Sequence, residues 1–305
     1  MLRIREIAED ELEELVSVAL DAQPREQATA AGFVDWRNQA GDMVWLLAER
    51  EDETVGAGYA LVGWHNPPHR AIGAAFVPHD ERGAGVGIAL LDALEGWAAE
   101  QGCTELEGPV SEEDEGSLAW AARHGYHESG RNSRLVLDLT TAEVTEPAPP
   151  QGIAIVTWAE RPELAQGLWE VALEATPDIP GEEEGDIGTL EEWLDRDMRG
   201  ASDDPRAVFA ALEHEEVVGY AKLAFSEEST ERAFHDLTGV RRSHRGRGIA
   251  GALKRTQIAW AKANGYTSLQ TSNEVRNEPI RRLNERYGYV LEPGVVIVRG
   301  GLGDG

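Results

Sequence analysis

Apolar and polar positions along the chain follow two periods. The stretches "EDELEELVSVALDA" and "RPELAQGLWEVALEA" carry apolar residues at helical spacing and predict amphipathic helices. Short, mostly apolar runs predict strands: "VWLLAE", "TVGAGYALVGW" and "IGAAFV" in the first half, "AVFAALE", "VVGYAKLAF" and "FHDLTGV" in the second. A glycine-rich turn then opens a further helix, with Ile88, Leu91, Leu94 and Ala98, or Ile249, Leu253, Ile258 and Ala261, on its apolar face. Gly102 and Gly265 stand where a glycine ends a helix. Another strand, a short helix, "HGY" or "YGY", and a last strand, "SRLVLDL" or "GVVIVRG", complete each half. This order, with strands in succession before the glycine turn, predicts an α+β fold.

The two halves are one unit written twice. At an offset of 163, Val77, Arg82, Gly83 and Gly85 match Val240, Arg245, Gly246 and Gly248, and Trp97-Ala98 matches Trp260-Ala261. Arg123, Gly125 and Tyr126 match Arg286, Gly288 and Tyr289, and no gap is needed from 55 to 126. Glycines held in step over such a length indicate a tandem duplication of a domain of about 150 residues. The joint is "TTAEVTEPAPPQG", with Pro147, Pro149 and Pro150 and no apolar periodicity, which reads as an extended linker. The expected division is a domain over 1–140, a linker over 141–151 and a second domain over 152–305. The strand "IAIVTW" after the linker matches "LRIREI" at the start.

Charge narrows the range of partners. Twenty-eight Lys and Arg face 56 Asp and Glu, for a net charge of −28. Such a surface repels nucleic-acid phosphates and attracts cationic small molecules. No stretch reaches the roughly 20 apolar residues of a membrane span, and the charged N-terminus lacks a signal-peptide core. Cys103 is the sole cysteine, so no disulfide framework or metal-type Cys/His spacing arises. The expectation is a cytoplasmic protein, monomer or homodimer, without metal, nucleic acid or membrane.

The glycine turns carry the candidate chemistry. "RGAGVG" (Arg82 to Gly87) and "RGRGIA" (Arg245 to Ala250) each place unbonded backbone N–H groups at a helix start, where the dipole favours an anion such as a pyrophosphate. Glycine lets a phosphate approach the backbone. The G-x-G-x-x-G dinucleotide spacing and the Gly-Lys-Ser/Thr of a P-loop are both absent. The two turns, with Arg82-x-x-Gly85-x-Gly87 and Arg245-x-x-Gly248-x-Ala250, resemble motif A of the GNAT acetyltransferase superfamily, and Asn277 to Tyr289 resembles its Asn…Gly-Phe segment. The resemblance covers most of both halves. It implies two tandem GNAT-fold domains, each a mixed, mostly antiparallel splayed sheet flanked by helices, with acetyl-CoA admitted between the fourth and fifth strands. It further implies that the backbone of Gly246, Arg247, Gly248 and Ala250, with Arg245, holds the pyrophosphate in the second copy. Val77, Arg82, Gly83, Gly85 and Gly87 stand at the matching positions of the first.

What the resemblance implies about activity points to the second copy. Its strand offers His235, Asp236 and Thr238 beside the expected thioester, where the first has "IGAAFV". The expected reaction is acetyl transfer to a primary amine of a small cationic molecule. A base must first deprotonate the ammonium, for which Asp236, His235 or a water relay are the candidates. Only one of the two side chains faces the site, because neighbours on a strand point to opposite faces. Backbone N–H groups near Thr238 to Val240 are expected to stabilise the oxyanion. Asn273 and Asn277 are expected to fix the cofactor arm or the strand opening. The family's tyrosine acid corresponds to Asn284 here and to Ala121 in the first copy, with Tyr287 as a substitute. The missing tyrosine leaves a non-catalytic acyl-CoA sensor as the alternative, and argues against the narrower likeness to the mycothiol synthases. The acidic stretch Glu174 to Asp197 holds ten carboxylates against one arginine. Glu182, Glu183, Glu184 and Asp186 are its candidates for an acceptor rim, or for a plain solvated surface.

Overall fold

A computed structural model of the protein describes residues 1–23, 28–63, 67–143, 148–179, 187–200, 202–226 and 229–303. Two compact units emerge: Met1–Arg131 with Val295–Gly305, and Asn132–Gly294. Each is described by itself.

The first unit contains β1 (Leu2–Glu6), α1 (Leu12–Ala22), α2 (Ala30–Gln39), β2 (Asp42–Arg50), β3 (Glu53–Val62), β4 (Arg70–Phe76), α3 (Val86–Glu100), β5 (Glu105–Ser111) and α4 (Glu115–Arg123). Strands β1 to β4 pair antiparallel in chain order. β4 and β5 pair in parallel, with α3 as the crossover. The β2–β3 hairpin turns on Glu51 (φ 55°) and Asp52 (φ 67°), the left-handed pair that matches strand twist.

The second unit repeats this plan with β7 (Ile153–Thr157), α5 (Ala165–Ala175), α6 (Leu190–Asp197), β8 (Asp203–Glu213), β9 (Glu216–Ser226), β10 (Ser229–Val240), α7 (Ile249–Ala263), β11 (Ser268–Glu274) and α8 (Glu278–Arg286). Its hairpin turns on His214 and Glu215 in the same left-handed conformation. β10 and β11 are the parallel pair.

Two long strands remain, β6 (His127–Asp138) and β12 (Val290–Gly301). Residues 132–138 of β6 pair with β11, and residues 295–301 of β12 pair with β5. Each sheet is therefore completed by the strand that the repeat order assigns to the other half, which moves the edges of the units away from 1–140 and 152–305. Side-chain alternation specifies a strand and its faces but not the edge it joins. Duplicated halves offer equivalent strands, which can be exchanged.

Strand periodicity buries both faces of each sheet. In β2, Val44, Leu46 and Ala48 meet Leu90, Leu94 and Ala98 of α3, while Trp45 and Leu47 meet Leu12, Leu15 and Ala19 of α1. In the second unit, Val208, Ala210 and Leu212 face Leu168 and Val171 of α5, and Phe209 and Ala211 face Ile249 and Leu253 of α7. Of the predicted helix faces, Leu91, Leu94 and Ala98 are buried with all four residues of α7, while Ile88 is exposed and Leu90 takes its place. Gly102 and Gly265 adopt the left-handed conformation expected after a helix. Among the described residues no helix is long and apolar enough to cross a membrane.

Candidate active site

Both glycine turns are built alike. Gly83, Gly85, Gly246 and Gly248 all have φ between 75° and 84°, a region where a side chain is strained. A Cβ on Gly83, Gly85 or Gly246 would meet nothing within 4 Å, so each turn presents bare backbone to open space. The first helical bond of α7 runs from Ala252 N–H to Gly248 O at 3.1 Å. The amides of Gly246 to Gly251 thus lie at the positive end of the helix, with no partner in its ladder. In the first unit the matching bond is Ala89 N–H to Gly85 O.

The arginines of the turns act as braces. Arg245 Nε donates to Val240 O at 3.0 Å, as Arg82 Nε does to Val77 O at 3.2 Å. Arg245 also pairs with Asp178 at 2.7 Å. Arg242 and Arg245 hold the Asp178 carboxyl down at about 2. Arg247 turns to Glu213, at 2.5 Å, so it offers the turn its backbone alone. Gly87 and Ala250 sit in the first helical turns; in the first unit the Trp120 ring packs 3.6 Å from where a Gly87 Cβ would be.

What separates the units lies on the strands before the turns. β3 and β4 pair without interruption, with Tyr59 opposite Ala74 and Ala60 opposite Gly73. In β10 the register breaks: His235 pairs with Leu223 and Thr238 with Ala221, leaving Asp236 and Leu237 opposite Lys222 alone. This is a β-bulge, which re-aims a side chain. The partners Ala60 and Leu223 are 163 apart, so Gly73 holds the place of His235 and Asp236 is an added residue.

The bulge turns Asp236 outward, its side chain 48% exposed, and sets it 2.7 Å from Lys222 Nζ. Lys222 is itself buried and reaches Asp203 at 2.7 Å and the carbonyl of Asp197. Burial alone would lower the Lys222 ammonium, but Asp236 and Asp203 together outweigh it and raise it. Burial pushes the Asp203 carboxyl up against the pull of Lys222. His235, by contrast, is buried on the inner face. Its ring bonds Gln257 Oε1 at 3.0 Å and the Tyr289 hydroxyl, and Gln257 Nε2 donates to Lys222 O at 2.9 Å. Burial, aided by the charge of Lys254, drives the imidazole well below its usual pKa. A neutral ring with Nδ1–H toward Gln257 and Tyr289 O–H toward Nε2 satisfies this network. Asp236 and His235 therefore divide as strand alternation requires, and Asp236 has the open face.

The parallel pairing of β10 and β11 ends at Phe234 and Gln270, although both strands continue. The parallel pairing of β4 and β5 ends at the matching pair, Ile72 and Glu107, but just beyond it the first unit's strands stay close: a Cβ on Gly108 would lie 2.0 Å from Gly73 O. Thr271 stands where Gly108 does. Thr238, just past the bulge, is half-buried. Asn284 is fully buried and donates through Nδ2 to Asn273 Oδ1 at 2.8 Å. Asn277 opens α8 without capping it, whereas Asp114 in the first unit caps α4 through Ser117 N–H. Tyr287 is drawn to α7, bonding Arg255 and the Gly251 carbonyl. Glu182, Glu183, Glu184 and Asp186 lie outside the described residues. The described carboxylates of that stretch are engaged: Glu191 and Asp195 with Arg199, and Glu192 in the cap at Thr189.

The sequence profile of the Acetyltransferase (GNAT) family matches residues 3–126 and again 165–289. The chain belongs to that family, as a tandem member. No curated protein matches the sequence. Among solved structures it is similar to a GCN5-related N-acetyltransferase from Sphaerobacter thermophilus, at 22% identity over 100% of this chain and 96% of that one, TM-score 0.75. It is also similar to a tandem GNAT protein from the clavulanic acid biosynthesis pathway, at 20% identity over the whole of both chains, TM-score 0.80. At these identities the likeness is one of fold.

Proposed function

We propose that the protein is an acetyl-CoA-dependent N-acetyltransferase whose second unit acetylates the primary amine of a small cationic molecule. The observation that carries this reading is the bulge in β10. It sets a half-exposed carboxylate, Asp236, beside an unpaired stretch of parallel strands and ahead of an open glycine turn in one unit. The open, positively polarised turn fits a pyrophosphate, and the backbone of Gly246 to Gly251 is assigned to hold it. When bound, acetyl-CoA supplies an activated acyl thioester.

The chain's own groups then do three things. Asp236 accepts the proton that the acceptor ammonium must lose before it can attack. Backbone N–H groups released by the bulge toward Thr238 polarise the carbonyl. Lys222, anchored by Asp203, fixes the Asp236 carboxylate. Two carboxylates around one ammonium leave the network anionic, which suits a cationic acceptor. The same reading has it working in the cytoplasm, without metal, nucleic acid or membrane. A thiol-release assay over a panel of polyamines and amino sugars tests it. Amine-dependent release of CoA is expected. CoA binding without amine-dependent release would contradict it and leave an acyl-CoA sensor, the reading that Asn284 in place of a tyrosine favours.

A further inference from the structure

The second unit buries one cation that neither its fold nor the attack described above employs. Lys254, on α7, is 1% exposed. No ion pair to a carboxylate involves it among the described residues. Its Nζ lies 5.4 Å from the centre of the Tyr289 ring, whose hydroxyl bonds His235. Asn284, whose backbone carbonyl accepts from Tyr289 N–H, keeps a buried side-chain Oδ1 with no partner. Lys254 Nζ, without an ion pair, and Asn284 Oδ1, without a partner, thus both belong to residues that touch Tyr289, whose partner His235 directly follows the level where β10 and β11 stop pairing.

The first unit shows that the fold does not need them. Leu91 holds the place of Lys254, Leu94 that of Gln257 and Ala121 that of Asn284, and all three pack in the apolar core. A buried amine without a counter-charge is costly. Burial lowers the Lys254 ammonium to about 7. The titratable groups set against it, His235 from β10 and Tyr289 just before β12, are both held neutral by burial. Lys254 follows Gly248 by six residues, about 9 Å along the helix from the open turn. A ligand anchored at that turn by its phosphates is long enough to bring its far end to this amine.

We propose that Lys254 is the partner of the CoA sulfur, a thiolate-binding group between α7, β10 and α8; this rests on the functional reading above. As the nitrogen–carbonyl bond forms and the carbonyl–sulfur bond breaks, sulfur takes its proton from Lys254 Nζ. Nitrogen gives up two protons in turn through Asp236, one before attack and one as the amide forms; one passes to bulk water and the other, by way of water, recharges Lys254. With free CoA at about pH 8, the thiol's own proton passes to Nζ and leaves a bound thiolate.

The test is equilibrium binding of CoA and of desulfo-CoA, which lacks the sulfur, to the full chain at that pH. Bound CoA is expected to show the ultraviolet absorption of a thiolate, and to bind about tenfold more tightly than desulfo-CoA. Lys254→Leu, the first unit's own residue, is expected to lose the band and the preference while keeping its affinity for desulfo-CoA. CoA bound to the unaltered chain without a thiolate band, or a band that survives Lys254→Leu, overturns this inference alone. Failure of the unaltered chain to bind CoA overturns the functional reading and this inference with it.

Discussion

Gly73 and His235 hold one place in two strands that share a turn, a crossover helix and a parallel neighbour. Around Gly73 the first unit is apolar and closed: Leu91 and Leu94 fill the helix face, Tyr126 turns its hydroxyl to Glu95, and the Gly108 backbone crowds against Gly73 O. Around His235 the second unit is polar and interrupted: a bulge, a buried histidine–glutamine–tyrosine chain, a buried lysine and the Lys222–Asp203–Asp236 set. The glycine turns do not tell the units apart, since both are open. One residue added to a strand, with the polar groups that support it, separates a scaffold from a candidate site. Residues spent on packing in one copy are spent on positioning in the other.

The comparison breaks most readily at Lys222. Lys222→Met leaves Asp203 buried without its cation and is expected to cost about 3–5 kcal/mol in urea unfolding of the chain. Adding Asp203→Leu should recover much of that loss, and a single variant of unchanged stability would show the network to be ornamental. Next in size is Asp236→Asn. It should lower kcat about a hundredfold or more while leaving CoA affinity within about twofold, because the carboxylate serves the amine and not the cofactor. A loss confined to CoA binding would reassign Asp236. On the other side, Gly108→Ala drives a methyl group into Gly73 O. A loss of roughly 1–3 kcal/mol in stability is expected, with CoA binding intact.

The smallest effect concerns the brace at the second turn. Asp178 is held at about 2, below its unfolded value of 3.8. A depressed carboxylate stabilises the fold above its unfolded pKa and loses that contribution as pH falls through its folded one. Asp178→Asn should therefore leave a chain slightly less stable at neutral pH, with a shallower acid-induced loss between those two values. An unchanged acid limb in circular dichroism would remove Asp178 from the account.

Sequence patterning reached the duplication, the order of elements along the chain, the glycine turns and the rule that only one of His235 and Asp236 takes the open face, without saying which. It missed Lys222, Asp203, Lys254, Gln257 and Tyr289. Lys254 and Gln257 sit between the apolar residues of α7, where exposed polar positions are ordinary, so neither draws notice alone. Set 163 residues apart, however, Leu91 against Lys254 and Leu94 against Gln257 would have flagged a buried face turned polar. The bulge itself was illegible, because the ungapped repeat absorbs its extra residue in the loop before the strand. The exchanged strands were illegible for another reason: "SRLVLDL" and "GVVIVRG" carry the same alternation, and alternation does not say which neighbour a strand will take.

The central claim is that two like turns serve unlike units, and calorimetric titration of CoA into three forms of the chain tests it directly. One site per chain is expected for the unaltered protein. Gly248→Glu, which puts a carboxylate into the second turn, should abolish that site, and Gly85→Glu should leave its affinity and stoichiometry unchanged. Two sites per chain, or one that survives Gly248→Glu and vanishes with Gly85→Glu, would contradict the account.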